Sequence, residues 1–426
     1  MNNFLTRFCN RPQQMRIRQL TVIASPTIKR FGLWAALLLA FSIPFPLRIN
    51  SVVIVTFFSI FTLLVLVTGE IERKFIRSPL FVLVSVLFVI GGIGLIFTSD
   101  VVKGWSDIER SSFQIAFLLL IYQFRVLNIS VFKLAVAFTI GCFTVTIYGL
   151  SYALLFLKGD TQKEVFELGH TSFSDIILIH PVYLSLYFIF SFFFLLETVR
   201  TRSSTLNKAS KLGIAAALIF IIGILMFLRA QMSLLIFVML LVMYTIIILK
   251  KRAWLITFVL FTIALLVFLL DPYRVTTFFD TYGKNVSSAL DQRFSVWRGT
   301  IEGIKTALFF GAGTGGEQEL INRGYAKTGY QEGIYNSYNA HNQYLQFMAR
   351  NGILELGCFL ALLIYSFRQS LKMPNYTFLM FNMTVTLIMF TESFLDVQRG
   401  IVFFYFFLCA FIYLPYESTP QPLVDV

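Results

Sequence analysis

The chain has 426 residues, of which 57% are hydrophobic and 49 are phenylalanine, a composition far more apolar than that of a soluble domain. Its net charge of +13 comes from short Lys and Arg clusters between hydrophobic runs. Positive-inside membrane topology explains this pattern better than a nucleic-acid interface does, so no nucleic-acid partner is predicted. The four cysteines have no paired spacing, so they predict neither a disulfide framework nor a zinc site.

Twelve hydrophobic runs follow one another along the chain, and about 20 apolar residues suffice for one helix to cross a bilayer. Strands of a membrane β-barrel would be shorter and alternating. We therefore predict an all-α polytopic membrane protein with about twelve spanning helices. The runs lie near residues 31–48, 50–69, 79–98, 111–127, 131–157, 176–197, 212–228, 231–249, 253–270, 343–367, 376–395 and 398–414.

Charged residues orient these predicted helices. Loops with basic clusters, such as Lys250-Lys251-Arg252, alternate with loops that hold most of the acids. Because cytoplasmic loops are rich in Lys and Arg, both termini are predicted inside and the acidic loops outside, in the periplasm of a bacterium. The resulting division is a basic cytoplasmic tail at 1–30, nine spans in 31–270, a periplasmic loop domain at 271–342, three spans in 343–414 and a cytoplasmic tail at 415–426.

The periplasmic segment is the longest polar stretch of the chain. Within it, Phe294, Trp297 and Ile301 recur at helical spacing among charged residues. This pattern predicts an amphipathic helix on the bilayer surface, with Trp297 at headgroup level. A glycine-rich turn at 311–316 should end the helix. No Lys-Ser/Thr pair follows the turn, so a tight turn is favoured over a nucleotide cradle.

His341 immediately precedes the tenth hydrophobic run and is one of three histidines in the chain. If a helix begins near Asn342, the imidazole lies at a helix N-terminus, where the helix dipole favours the neutral ring that a general base requires. An interfacial histidine bonded to a loop carbonyl explains the position equally well. Both interpretations stay open at this level.

Two outer arginines have the chemistry for phosphate oxygens, which suit a guanidinium group. Arg229 stands in a very short turn between two hydrophobic runs, where a charge is costly without a partner, so we favour a functional role over snorkelling. Arg293 begins the amphipathic helix, and taken alone it is explained by a solvated helix face.

Two further outer features carry polar side chains. His180-Pro181 begins a hydrophobic run and is equally explained as a helix-start device. Glu392, Asp396 and Arg399 form a charged hairpin between the last two runs, which either pairs with an outer arginine or caps the turn. No nucleotide-binding loop or acidic metal motif accompanies them, so no metal or other cofactor is predicted.

Several motifs together resemble the signature region of the O-antigen ligase and polymerase family, in the variants of Bacteroidetes-type members. The likeness covers the whole topology and is specific from about residue 290 to 404. The motifs are Arg293-Phe294-Ser295-Val296-Trp297, Phe310-Gly311-Ala312-Gly313-Thr314-Gly315, Ala340-His341-Asn342-Gln343-Tyr344, Asn351-Gly352-Ile353, His180-Pro181-Val182-Tyr183 and Thr391-Glu392-Ser393-Phe394.

The resemblance implies a GT-C-type, metal-independent, inverting glycosyltransferase of the bacterial inner membrane, which acts in lipopolysaccharide biosynthesis. Its donor would be a glycan linked to undecaprenyl diphosphate. Its acceptor would be a sugar hydroxyl of lipid A–core at the periplasmic face. Membrane lipids would be further partners.

The family's residues transfer to this sequence position by position. His341 matches the essential histidine and Arg293 the loop arginine. The family places a second arginine after a serine near a helix end, but here Arg229 is displaced and Gln231 occupies the usual place, so either residue fits that position. The supporting candidates are Asn342, Tyr344, His180 and Arg399.

Three alternative functions remain. A polymerase of the same family would use the same donor and extend another lipid-linked chain. A transporter or flippase of lipid-linked sugars would require paired charges at mid-bilayer, whereas the clearest charges here gather at the outer face. A non-catalytic scaffold would use the outer domain only to bind a partner.

Overall fold

The computed structural model describes residues 26–68, 73–126, 128–156, 173–249 and 289–417. Within these ranges the regular structure is helical and includes no strand. The helices are α1 Pro26–Ser42, α2 Leu47–Thr68, α3 Arg73–Ile76, α4 Pro79–Gly94, α5 Val101–Val126, α6 Val131–Phe156, α7 Phe173–Ile177, α8 Pro181–Arg202, α9 Lys208–Leu228, α10 Gln231–Leu249, α11 Ala289–Ile304, α12 Glu317–Thr328, α13 Gln331–Tyr335, α14 Gln343–Ser370, α15 Thr377–Ile388, a 3₁₀ helix Phe394–Asp396 and α16 Gln398–Tyr413.

These helices confirm the prediction of an all-α, multi-pass membrane protein. Among the described residues, five helices are long and apolar enough to cross a membrane: α6, α8, α9, α10 and α14. Shorter apolar helices occur at α1, α2, α4, α15 and α16. The predicted ninth run at 253–270 and the start of the predicted loop domain lie outside the described residues. The count of twelve spans, the GT-C-like arrangement and the periplasmic placement of the loop domain remain predictions.

Phenylalanine rings form the centre of the helical bundle. Helix α16 is buried without interruption from Arg399 to Phe411, as expected for an apolar helix surrounded by other helices. The ring of Phe407 lies 4.6 Å from that of Phe190 on α8 and 5.1 Å from that of Phe138 on α6, measured between centroids. Such tilted and edge-on pairs stabilise the core beyond simple area burial. The phenylalanine content therefore supports packing between helices.

A second, smaller core joins α11 and α12, the helices of the outer segment. A methyl group on Gly324 would overlap the backbone of Gly299, so the two helices approach at backbone distance. Val296, Ile321 and Tyr325 are buried beside this crossing. The predicted amphipathic helix is present, but it ends at Ile304, well before the glycine-rich turn.

The glycine-rich turn fits into a break in helix α14. Gly352 has a left-handed φ of 68° within that helix, and the break frees backbone carbonyls. The N–H groups of Ala312 and Gly313 donate to the carbonyl oxygens of Ala349 and Arg350 at 2.9 and 2.8 Å. Buried backbone groups need such partners. These N–H groups therefore satisfy protein carbonyls, which agrees with a structural turn and leaves them unavailable to a phosphate.

Candidate functional site

His341 lies at the N-terminus of helix α14. The helix begins at Gln343, and the side chain of Asn342 caps it by accepting hydrogen bonds from the backbone N–H groups of Tyr344 and Leu345 at 3.0 and 3.1 Å. His341 precedes this cap and has a left-handed φ of 43°. Such a conformation is strained for a non-glycine residue and persists only where the surrounding structure holds it. Residues of this kind cluster at functional sites.

The imidazole of His341 faces the carboxylate of Glu392. Its Nδ1 atom lies 3.6 Å from Oε2 of Glu392, which is longer than a hydrogen bond. Nδ1 is buried and forms no hydrogen bond within the described part of the chain. The side chain as a whole keeps 35% of its surface exposed. One edge of the ring is therefore turned to the carboxylate, and another part of the ring stays accessible.

Arg293 holds the other oxygen of the same carboxylate. Its Nη2 atom lies 3.0 Å from Oε1 of Glu392, and Nη1 donates to the carbonyl oxygen of Thr391. Glu392 thus joins Arg293 on α11 to His341 before α14. Of the two interpretations of the charged hairpin, pairing with an outer arginine is the one found for Glu392.

Electrostatics keep the Glu392 carboxyl ionised. Burial acts to raise its pKa, but the nearby His341 and Arg293 side chains more than offset that effect, and the net pKa lies below its ordinary value. Near neutral pH the cluster therefore contains a carboxylate between an arginine and a histidine. We call Arg293, Glu392 and His341 the outer cluster.

Asn342 and Tyr344 hold the backbone next to the outer cluster in place. The Nδ2 atom of Asn342 donates to the carbonyl oxygen of Phe390 at 3.2 Å. The hydroxyl of Tyr344 donates to the carbonyl oxygen of Thr386 at 3.0 Å, and its ring lies 4.7 Å from that of Phe390. Both side chains fix the start of α14 against the end of α15, so their described contacts are structural.

His180 and Arg399 lie at the starts of α8 and α16. His180 is the N-cap of α8, and its Nδ1 accepts from the backbone N–H of Val182 at 3.4 Å, so the helix-start interpretation describes its geometry. Arg399 is only 8% exposed, and one of its terminal nitrogens donates to the carbonyl oxygen of Leu178. The contacts described for the outer cluster include neither residue.

Arg229 and Gln231 flank the turn between α9 and α10. Arg229 is half-buried and ends α9 with a left-handed φ of 53°, whereas Gln231 begins α10 and is exposed. The contacts described for the outer cluster include neither of them. The assignment of one of these residues to the diphosphate therefore remains a prediction.

A buried ionic network next to the outer cluster was missed by the sequence reasoning. Arg350 is 9% exposed, and its Nε lies 3.1 Å from both carboxylate oxygens of Glu355. Its Nη1 lies 3.5 Å from Asp396, which also accepts from Gln343 at 3.3 Å. A signal was present, since Arg350 and Glu355 are charges inside the tenth hydrophobic run, and charges in such runs are rare.

The Asp396 carboxyl in this network has a raised pKa. Burial is the largest influence and raises its pKa, Arg350 opposes the increase, and the carboxylates of Glu317 and Asp107 add to it. The outcome is a pKa of about 7. In addition, Nη1 of Arg110 donates to the backbone carbonyl of Asp396 at 2.6 Å, so the 3₁₀ turn is held from two sides.

Fold and site together define a multi-pass helical membrane protein with a histidine–carboxylate–arginine cluster at one end of its bundle. Residues 215–360 match the family model described as O-antigen ligase. The matched region contains Arg229, Arg293 and His341 but not Glu392. This match supports membership of the chain in the O-antigen ligase and polymerase family, and it confirms the resemblance seen in the motifs.

No curated protein sequence matches the chain significantly. The family match supports a ligase- or polymerase-type role in lipopolysaccharide biosynthesis. Among the residues that the structure describes, no group of three or more His, Cys, Asp or Glu side chains could hold a metal ion.

Proposed function

We propose that this protein is an O-antigen ligase-like glycosyltransferase. It transfers a glycan from undecaprenyl diphosphate to a sugar hydroxyl of lipid A–core at the periplasmic face of the bacterial inner membrane. The family match supports the class of reaction. The observation that carries the proposal is the outer cluster, in which one carboxylate joins His341 to Arg293.

The proposed reaction is a single displacement. The acceptor hydroxyl oxygen attacks the anomeric carbon of the glycan, and the bond from that carbon to the phosphate oxygen breaks. Undecaprenyl diphosphate leaves with the electron pair, and the hydroxyl proton passes to the Nε2 atom of His341. A neutral imidazole suits this role near pH 7. Attack opposite the leaving group inverts the anomeric centre.

The leaving diphosphate gathers negative charge and needs cations close to it. Arg293 makes one described contact to Glu392 and one to Thr391, and a guanidinium group carries five N–H donors. We propose that donors not used in these two contacts meet phosphate oxygens. Arg229 at the end of α9 is the second proposed cation, and Gln231 is the alternative at that turn.

The charge pattern of the helices supports a periplasmic site. Helix α8 ends with Arg200 and Arg202 in its last turn, and α14 ends with Arg368. Both helices begin at the end of the bundle that holds His341. Because basic residues mark the cytoplasmic ends of spanning helices, the outer cluster is proposed to face the periplasm.

A transporter is the competing class, and the Arg350–Glu355 pair is the observation that bears on it. A transporter would use paired buried charges at a helix break. Here the pair is also bound to the outer segment, since Asn351 donates to Glu355 and to Thr314 of the glycine-rich turn, both at 3.0 Å. These contacts favour a structural role for the Arg350–Glu355 pair, in which it helps to hold the glycine-rich turn against α14.

In-vitro transfer by the purified protein tests the proposal. Undecaprenyl-diphosphate-linked glycan is offered with lipid A–core and, separately, without another acceptor. A ligase forms product on lipid A–core, and the product is lost with His341→Ala. Arg323→Ala is the matched control, because this exposed arginine pairs only with Glu319 on its own helix among the described ion pairs.

The other outcomes contradict the proposal in distinct ways. Lengthened polyprenyl-linked chains without lipid A–core product would make the protein a polymerase. Full transfer by His341→Ala would refute the mechanism. Absence of both products from folded, monodisperse wild-type preparations would favour the transporter.

A further inference from the structure

We infer that Glu392 is a positioning residue for the proposed reaction: its carboxylate fixes the imidazole of His341 through Nδ1, so that Nε2 faces the acceptor hydroxyl, and it stabilises the ring after proton uptake. This inference rests on the proposed function. Glu392 lies beyond the part of the chain matched by the family model.

The two carboxylate oxygens of Glu392 face two different partners. Oε1 lies 3.0 Å from Arg293, and Oε2 lies 3.6 Å from Nδ1 of His341. The second distance needs to shorten by about half an ångström to become a hydrogen bond, and catalytic hydrogen bonds often tighten only when substrate is bound. Nδ1 is buried and has no other described hydrogen-bond partner, so Glu392 is the acceptor within reach.

The backbone of Glu392 is also fixed in place. The N–H groups of Thr391 and Glu392 both donate to the carbonyl oxygen of Ile388 at 2.9 Å, at the end of α15. Arg293 then binds the carbonyl of Thr391 and the carboxylate of Glu392 together. A carboxylate held at both its backbone and its side chain can orient a neighbouring ring with little loss of entropy.

Arg293 also favours the charged form of the Glu392 carboxylate. When His341 takes a proton, the ring becomes cationic, and a carboxylate beside it is stabilising only while it remains charged. The ion pair with Arg293 favours the charged form of Glu392. Among the described residues, Glu392 from the 391–392 turn faces His341, Arg293 lies behind that carboxylate, and the ring centroid of Tyr338 lies 6.1 Å from the imidazole.

A purely structural role is the competing explanation, in which Glu392 only neutralises Arg293. The two explanations differ in what Glu392→Gln does to the pH profile. An amide has nearly the same shape as the carboxylate but no charge. A structural role predicts a lower yield of folded protein with an unchanged pH profile, whereas a positioning role predicts an altered profile in the folded fraction.

The test measures transfer by the wild-type protein, Glu392→Gln, Glu392→Asp and His341→Ala between about pH 5 and about pH 9, the range around histidine titration. We expect Glu392→Gln to lower kcat by roughly 10²-fold with little change in KM. The acidic limb of the curve of kcat against pH should also move to lower pH, because the protonated imidazole of His341 has lost its carboxylate partner. Glu392→Asp should restore part of the rate. Glu319→Gln, an exposed helix-surface carboxylate, is the matched control.

A substrate-free measurement keeps the inference testable if activity is low. Diethyl pyrocarbonate modifies neutral imidazoles, and peptide mass spectrometry reports His341 separately from His180. We expect the modification of His341 to shift its pH dependence in folded Glu392→Gln but not in Glu319→Gln. An unchanged dependence, with wild-type kcat in Glu392→Gln, would overturn the role of Glu392. Loss of transfer in His341→Ala would still leave the proposed function supported.

Discussion

Nδ2 of Asn342 donates a 3.2 Å hydrogen bond to the carbonyl oxygen of Phe390. The same side chain caps helix α14 through its oxygen. Asn342 follows His341 directly, and Phe390 precedes Glu392 by two residues. One amide therefore links the two backbone segments that carry the histidine and the carboxylate of the outer cluster.

Two substitutions of Asn342 should distinguish its role as the N-cap of α14 from its hydrogen bond to Phe390. Asn342→Ala removes both and should lower the free energy of unfolding by about 1–2 kcal/mol, the usual effect of losing an N-cap. Asn342→Asp keeps the capping oxygen but cannot donate to Phe390, so it should retain more stability while still lowering transfer. Thermal unfolding in detergent and the transfer assay measure the two effects. Equal loss of stability in both variants would contradict this division.

Gly313 and Gly329 offer a matched pair for the glycine-rich turn. Both have positive φ, 82° and 75° respectively. A Cβ on Gly313 would lie 2.5 Å from the carbonyl oxygen of Gly94, whereas a Cβ on Gly329 meets nothing within 4 Å. Gly329→Ala should cost about 1–2 kcal/mol, the strain of the left-handed conformation. Gly313→Ala should cost clearly more, because the turn must also move away from α4.

Thermal stability and the yield of monodisperse protein report this difference. If Gly313→Ala and Gly329→Ala lower the melting temperature equally, the close packing of the turn against α4 is not what requires glycine there.

Asp396 should make stability pH-dependent near neutrality. Its pKa is raised to about 7 in the folded protein, whereas the unfolded chain titrates near the ordinary value of about 4. Between these values the folded state binds more protons, so the contribution of Asp396 to stability falls as pH rises from about 4 to about 7. Asp396→Asn should flatten this part of the stability curve. Melting temperatures across that range measure it, and parallel curves for the two proteins would contradict the prediction.

An exposed apolar surface beside the outer cluster should contact lipid. Phe294, Leu308, Phe309 and Phe310 are all exposed, and Ile353 continues the surface onto α14. The N–H of Ile353 donates to the carbonyl of Leu308 at 3.0 Å, so this surface joins the outer segment to a membrane-spanning helix. Large exposed apolar patches mark contacts with membranes, partner proteins or ligands, and in a membrane protein we expect lipid to cover this one.

A photo-crosslinking amino acid at Phe310 should capture phospholipid in nanodiscs. The same amino acid at Arg323, an exposed position on polar helix α12, should capture little. If Phe310 captures as little lipid as Arg323, the surface lies outside the bilayer, and the predicted surface helix is contradicted.

Local sequence patterns predict the helices and the chemistry that single residues can perform. Apolar runs are local, and a run of sufficient length forms a helix in lipid because only internal hydrogen bonds satisfy its backbone. The start of α14 at Gln343 was equally local, since an asparagine before an apolar run is an N-cap signal. The tight-turn interpretation of residues 311–316 followed from the glycines and from the absence of a Lys-Ser/Thr pair after them.

Contacts between residues distant in the chain depend on how the helices pack. Arg293 and Glu392 are far apart along the chain and come together because α11 and α15 both pack against α14, and Glu392 follows the end of α15. Arg350 and Asp396 likewise meet only through the kink in α14 and the turn before α16. Such contacts depend on how helices pack and on which buried charges find partners, and neither is written in the periodicity of a single segment.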